Sequence, residues 1–118
     1  MEEEFNPDLK GLLALESVGS LLTFTARHDG DIVGYLLLLC SEMINHAGVY
    51  HASENAMYVD PAYRKAGVAT SLIKHAEAVC KEHGVKYLSF TVTPTLDYSG
   101  MLERDGYVPN EVVHTKRI

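Results

Sequence analysis

The sequence has no long apolar run. Its longest, Tyr35 to Cys40, is the length of a strand and far short of the roughly 18 to 20 residues a helix needs to cross a bilayer. A helical membrane span is excluded, and the chain reads as a soluble protein. Positive charge is scarce as well: 10 Lys and Arg stand against 16 Asp and Glu, for a net charge of -6 and a pI near 5.4. Proteins that hold polyanions carry basic surfaces that displace counterions, so nucleic acid is excluded as a partner and a cationic or neutral one is favoured. Only two cysteines are present, Cys40 and Cys80, in separate apolar segments. In a reducing compartment such residues act as small buried hydrophobes rather than as a bridge. The first residues, Met1-Glu2-Glu3-Glu4, lack the basic start and apolar run of a secretory signal, and the expectation is a cytoplasmic protein. The six histidines include no pair at the spacing of a zinc helix motif. His75 and His83, eight residues apart, point about 80 degrees from each other on an ideal helix, so no metal is expected.

What remains is the composition of one compact domain. With 118 residues, 47% hydrophobic and 22% charged, the chain suffices for a single core spanning residues 1–118 and is too apolar for a disordered segment. Asn6 as cap and Pro7 in the first turn predict a short amphipathic helix that presents Leu9, Leu12, Leu13 and Leu15 and stops near Gly19. Leu21 to Arg27 alternates with the period of a half-buried strand, and Asp29-Gly30 marks a hairpin turn into Ile32–Leu39. That second strand is nearly all apolar, which requires helices on both faces of the sheet. A loop over Asn45 to Tyr50 leads to a third strand near Ser53 to Val59, closed by Asp60-Pro61. Apolar residues at 69, 72, 73, 76, 79 and 80 predict a central helix from Gly67 to His83, capped by Gly84. Glu77 and Lys81, four apart on it, read as a solvated ion pair. A strand from Tyr87 to Thr93, a helix near Asp97 to Arg104 and a strand-like tail from Val112 to Lys116 complete an α/β sandwich around a mixed sheet.

Chemistry concentrates between the third strand and the central helix, in Arg64-Lys65-Ala66-Gly67-Val68-Ala69-Thr70. A helix start presents unsatisfied N–H groups and a partial positive charge, and small residues let a phosphate approach the backbone. On the Gly-Val-Ala triplet alone, an anion cradle and an ordinary helix start stand equal.

Arg64-x-x-Gly67-x-Ala69 matches the signature of the GNAT superfamily of acyl-CoA-dependent N-acyltransferases, which the chain closely resembles. Val59-Asp60-Pro61-Ala62-Tyr63 resembles that family's strand exit, Asp29 to Tyr35 its early hairpin, and Glu103-Arg104-Asp105-Gly106-Tyr107 the end of its last helix. The matching segments keep the family's order from about Leu21 to Ile118. The resemblance implies a GNAT-like mixed, mostly antiparallel sheet and an acetyl-CoA cosubstrate whose pyrophosphate lies on Arg64 to Thr70. It further implies a pantetheine arm between strands that splay apart after Val59 and Thr93, touching Met57 to Val59, and an amine acceptor, small molecule or protein. The sequence departs from the family in a short N-terminal portion, and in Leu102, where many members carry a tyrosine that protonates the leaving thiolate.

A lysine-like amine has a pKa of about 10.4 and must lose a proton before it attacks a thioester. Glu54 is one candidate base, its direction decided by whether a bulge interrupts strand alternation, and a surface carboxylate is its bland alternative. His51, read as facing solvent beside the loop, is another. Tyr98, four residues before Leu102, is the candidate substitute acid, against the alternative of a packing role. Two functions fit these residues: an active N-acetyltransferase, or a non-enzymatic binding or assembly module of the same fold. A homodimer through an open strand edge is compatible with either.

Overall fold

The structure, a computed structural model, describes residues 3–94 and 97–118, so Met1 and Glu2 of the acidic start lie outside the described residues. Helix α1 spans Leu9–Ser17. Its cap is Asp8, not Asn6: the Asp8 carboxylate accepts from the Gly11 N–H at 3.0 Å, and Pro7 falls before the helix. A carboxylate placed there answers both an orphan donor and the helix dipole.

Strands β1 (Leu21–His28) and β2 (Asp31–Glu42) form the expected hairpin. Asp29 at φ 50 and Gly30 at φ 85 both adopt the left-handed conformation that a two-residue turn of this kind demands. Strand β3 (Tyr50–Val59) pairs antiparallel with β2, and β4 (Val85–Ser89) pairs parallel with β3. The four-stranded sheet thus has the order β1-β2-β3-β4.

Between β3 and β4 runs α2 (Val68–Glu82), which buries Leu72, Ile73, Ala76 and Cys80. Of these, Leu72, Ala76 and Cys80 meet Phe24, Leu36, Leu38, Ala52 and Val59 on one face of the sheet. Full burial of side chains such as Leu36, Leu38 and Ile73 contributes about 1.5–3 kcal/mol each. Alternation sends Leu21, Thr23 and Leu37 to the other face, where they line a cavity with Leu9, Leu12 and Leu13 of α1. Helices therefore lie on both faces, as the apolar β2 required. Gly84, at φ 76, ends α2, and helix α3 (Ser99–Arg104) follows β4.

The expected last strand does not form. From Tyr107 to Ile118 no residue belongs to a helix or strand, and Val108, Val112 and Val113 are exposed. A strand needs a neighbour to hydrogen-bond, and this tail instead brings Arg117 to 4.0 Å from Glu3. No helix among the described residues is long and apolar enough to cross a membrane.

Candidate active site

Among the described residues the sheet opens between β3 and β4. Strands β3 and β4 pair only from Tyr50 with Val85 to Ser53 with Ser89, after which β3 runs on to Val59 without β4 beside it. At the point of separation β3 carries a bulge: Ala56 pairs with Leu37 and Glu54 with Leu38, so Asn55 is unmatched. Strict alternation would send Glu54 and Met57 to opposite faces; the extra residue brings them into phase. Both line a cavity of about 260 Å³ in the resulting wedge, with Ala56, Thr91, Thr93 and Tyr98.

Tyr98 precedes the first turn of α3, and its hydroxyl reaches back across the wedge. It lies 3.1 Å from Glu54 Oε1 and 2.9 Å from the Thr91 carbonyl. A phenol has a single proton to donate, so two acceptors compete for it. Burial, and then the negative charge of Glu54, hold the Tyr98 phenol well above the ordinary tyrosine range, which keeps it protonated at neutral pH. One helical turn later, Leu102 is buried. The hydroxyl absent from position 102 is thus present in the wedge, carried by Tyr98.

Beside the wedge, Asp60 caps the short 3-10 turn Pro61–Tyr63 by accepting from the Ala62 N–H at 2.9 Å. The chain then passes through Arg64, Lys65 and Ala66 to Gly67, which stands at φ 78 immediately before α2. A side chain at Gly67 would meet nothing within 4 Å. Glycine is required here for its backbone conformation, while the space above it is open. The N–H groups of Val68, Ala69 and Thr70 in the first turn have no helical carbonyl behind them. Arg64 Nε donates to the Val59 carbonyl at 3.0 Å, which ties the cradle to the end of β3 and leaves the terminal amino groups to meet an anion. The Thr70 hydroxyl donates to Met101 Sδ at 3.5 Å, so its side chain links α2 to α3. The residues present fit a pyrophosphate.

Gly34 belongs to this site, although the sequence reading passed it over. It pairs with Val59, and a Cβ there would lie 3.0 Å from Val68 Cγ1 and 3.1 Å from the Tyr58 carbonyl. Its absence lets the first turn of α2 close onto the sheet. The signal was an isolated glycine inside an apolar strand, a mark of close approach.

Two expectations are corrected. His51 is part of β3 and half-buried, because β2 extends to Glu42 and draws Tyr50 and His51 into the ladder. Its Nδ1 is buried with no hydrogen-bond partner among the described residues, and it does not line the wedge. Glu77 forms no ion pair with Lys81 among the described residues. Its carboxylate accepts from the Tyr107 hydroxyl, and burial with that charge raises the Tyr107 phenol above its usual range. Cys40 and Cys80 are free thiols.

The sequence matches the acetyltransferase (GNAT) family over residues 2–106, and no curated protein matches the chain significantly. Among solved structures, the chain is similar to an acetyltransferase of Trypanosoma brucei, at 19% identity and a TM-score of 0.79, over 94% of this chain and 78% of that one. An aminoglycoside acetyltransferase from an uncultured soil metagenomic sample, in complex with trehalose, is 22% identical with a TM-score of 0.79, over 100% and 78%. A further aminoglycoside N-acetyltransferase, in complex with CoA, is 20% identical with a TM-score of 0.69, over 92% and 89%. At such identities these likenesses speak to the fold. The family match covers most of the chain, and with the splayed strands and the open cradle before α2 it identifies the protein as a member of the GNAT acetyltransferase family.

Proposed function

We propose that the protein is an N-acetyltransferase that moves an acetyl group from acetyl-CoA to an amine by direct attack in a ternary complex. Arg64 and the backbone N–H groups of Lys65 and of Gly67 to Thr70 hold the pyrophosphate, the Ala66 N–H being given to the Tyr63 carbonyl at 3.1 Å, and the backbone of Met57 to Val59 guides the pantetheine arm down the wedge. Acetyl-CoA supplies the activated acetyl thioester.

Glu54 receives a proton from the incoming ammonium, so that the nitrogen attacks as a free amine. Tyr98 Oη passes its proton to the departing sulfur, a thiol whose pKa near about 8.5 already makes it a tolerable leaving group. The phenol then recovers a proton from Glu54 through their shared hydrogen bond, and the proton left on the new amide nitrogen goes to water. Both side chains end as they began.

The observation that carries this reading is the hydrogen bond of 3.1 Å between Tyr98 and Glu54 inside the wedge. A carboxylate and a phenol kept neutral are joined where a thioester lying between the splayed strands would react. The test is thiol release from acetyl-CoA across a panel of amines, with acetylated product identified by mass. Amine-dependent thiol supports the transferase; no thiol with any amine, together with no thermal shift on adding acetyl-CoA, removes it.

A further inference from the structure

Strand β1 stands at one end of the sheet order, so its outer edge is open. The Cys40 N–H donates to the Ser20 carbonyl, and the ladder alternates from there. Leu22 and Phe24 therefore turn their main-chain groups to β2, while Leu21, Thr23 and Thr25 turn N–H and C=O outward, where no backbone group meets them among the described residues. The Glu16 carboxylate takes only the Thr23 hydroxyl, at 2.6 Å. Natural sheets protect such a row with charge, proline or a covering segment. From Leu21 to Ala26 the strand has neither charge nor proline, and Thr23 and Thr25 are exposed.

Beside this edge lies α1, a helix of 9 residues that buries none of them. Leu9 and Leu13 are 66% and 65% exposed, although both line the cavity of about 240 Å³ that α1 forms with Leu21, Thr23 and Leu37. So short a helix needs an apolar surface to pack on. An open strand edge and a half-covered helix thus make one continuous surface.

We infer that a second copy of this chain covers that surface, the two β1 strands pairing antiparallel across a two-fold axis. The edge is self-complementary, because each outward residue offers one donor and one acceptor and antiparallel pairing exchanges both. Residues opposite each other share a face, so both α1 helices lie on the same side of the joined sheet. Each α1 sits over β1 and β2, whose residues line its cavity. With strands about 4.8 Å apart, the two helices then stand roughly 10 Å from each other, the separation at which helices pack. The inference does not depend on the proposed transfer.

Sedimentation velocity of the full chain at about 100 μM, far above a micromolar dissociation constant, is expected to give twice the mass of 13.0 kDa. Hydrogen exchange is expected to show the amides of Leu21, Thr23 and Thr25 gaining protection as concentration rises. Thr25→Pro removes an outward donor and takes nothing from the β1–β2 ladder, and Leu13→Lys sets a charge in the helix contact while leaving the strands untouched. Each variant should weaken the dimer about 10-fold with the far-UV spectrum unchanged, and Leu13→Lys decides alone if the proline variant does not fold. A monomer at that concentration, protection of those amides that ignores concentration, or unchanged dimer affinity in a folded variant each overturns the inference.

Discussion

Tyr98 and Glu54, 44 positions apart in the chain, meet in a hydrogen bond of 3.1 Å across the wedge between β3 and the segment that follows β4. The pair joins the two walls of the opening, because Tyr98 also reaches the Thr91 carbonyl at 2.9 Å. Removing either partner separates chemistry from binding. Glu54→Gln is expected to lower kcat about 100-fold, and Tyr98→Phe about 10-fold, since a thiolate leaves without full protonation. The dissociation constant for acetyl-CoA stays within about twofold in both, as neither side chain belongs to the cradle. Steady-state kinetics beside calorimetric titration checks the split.

Leu102 invites the opposite change. Leu102→Tyr restores the residue type that many relatives carry there, yet position 102 is only 7% exposed. Forcing a larger, polar side chain into a packed site costs about 1–3 kcal/mol. Denaturant unfolding should show that loss, and the double variant with Tyr98→Phe should be no faster than Tyr98→Phe alone.

The close approach at Gly34 makes a second-strand residue matter to coenzyme binding. Gly34→Ala places a methyl 3.0 Å from Val68 Cγ1 and 3.1 Å from the Tyr58 carbonyl, which pushes the first turn of α2 off the sheet. Acetyl-CoA affinity is expected to fall about 10-fold, with a loss of stability of about 1–3 kcal/mol. Titration and denaturant unfolding together read both effects.

Alkaline pH should destabilise the protein through the protons of buried Cys80 and of the partly buried Tyr98 and Tyr107. Burial, with the neighbouring Cys40 and Glu77, raises the Cys80 thiol from 9.0 to about 11, and Tyr98 and Tyr107 are raised from 10.0. Above these ordinary values the unfolded chain releases protons that the folded chain retains, so stability falls as pH rises. Below about pH 9 these groups contribute no slope. Cys80→Ala is expected to flatten the stability profile between pH 9 and about 11, and Tyr107→Phe to flatten it above pH 10, both measured by urea midpoints.

Much of this architecture was legible because its signals are local. Asp29-Gly30 announced the hairpin through the positive φ it needs, and the spacing of Leu72, Ile73, Ala76 and Cys80 drew the buried face of α2. The cradle at Arg64 to Thr70 was read on both local chemistry and family resemblance. What escaped depends on pairing between distant strands. The bulge at Asn55, which decides where Glu54 points, arises from the register of β3 on β2 and leaves no composition mark. His51 was misplaced because the extent of β3 follows from the length of β2. The tail had the β-branched pattern of a strand at Val112 and Val113 without a neighbouring strand to complete it. Asp8 displaced Asn6 as a cap because both residue types serve and only geometry chooses between them.

The account turns on where the coenzyme lies, and backbone amide shifts measured by NMR as acetyl-CoA is added to the labelled protein test that most directly. The predicted result is saturable shifts at Lys65 to Thr70 and at Met57 to Val59. Gly67→Glu, which sets an acidic side chain above the cradle at φ 78, should abolish them. Shifts confined to α1 and the face it covers, or unchanged binding by the Gly67 variant, would contradict it.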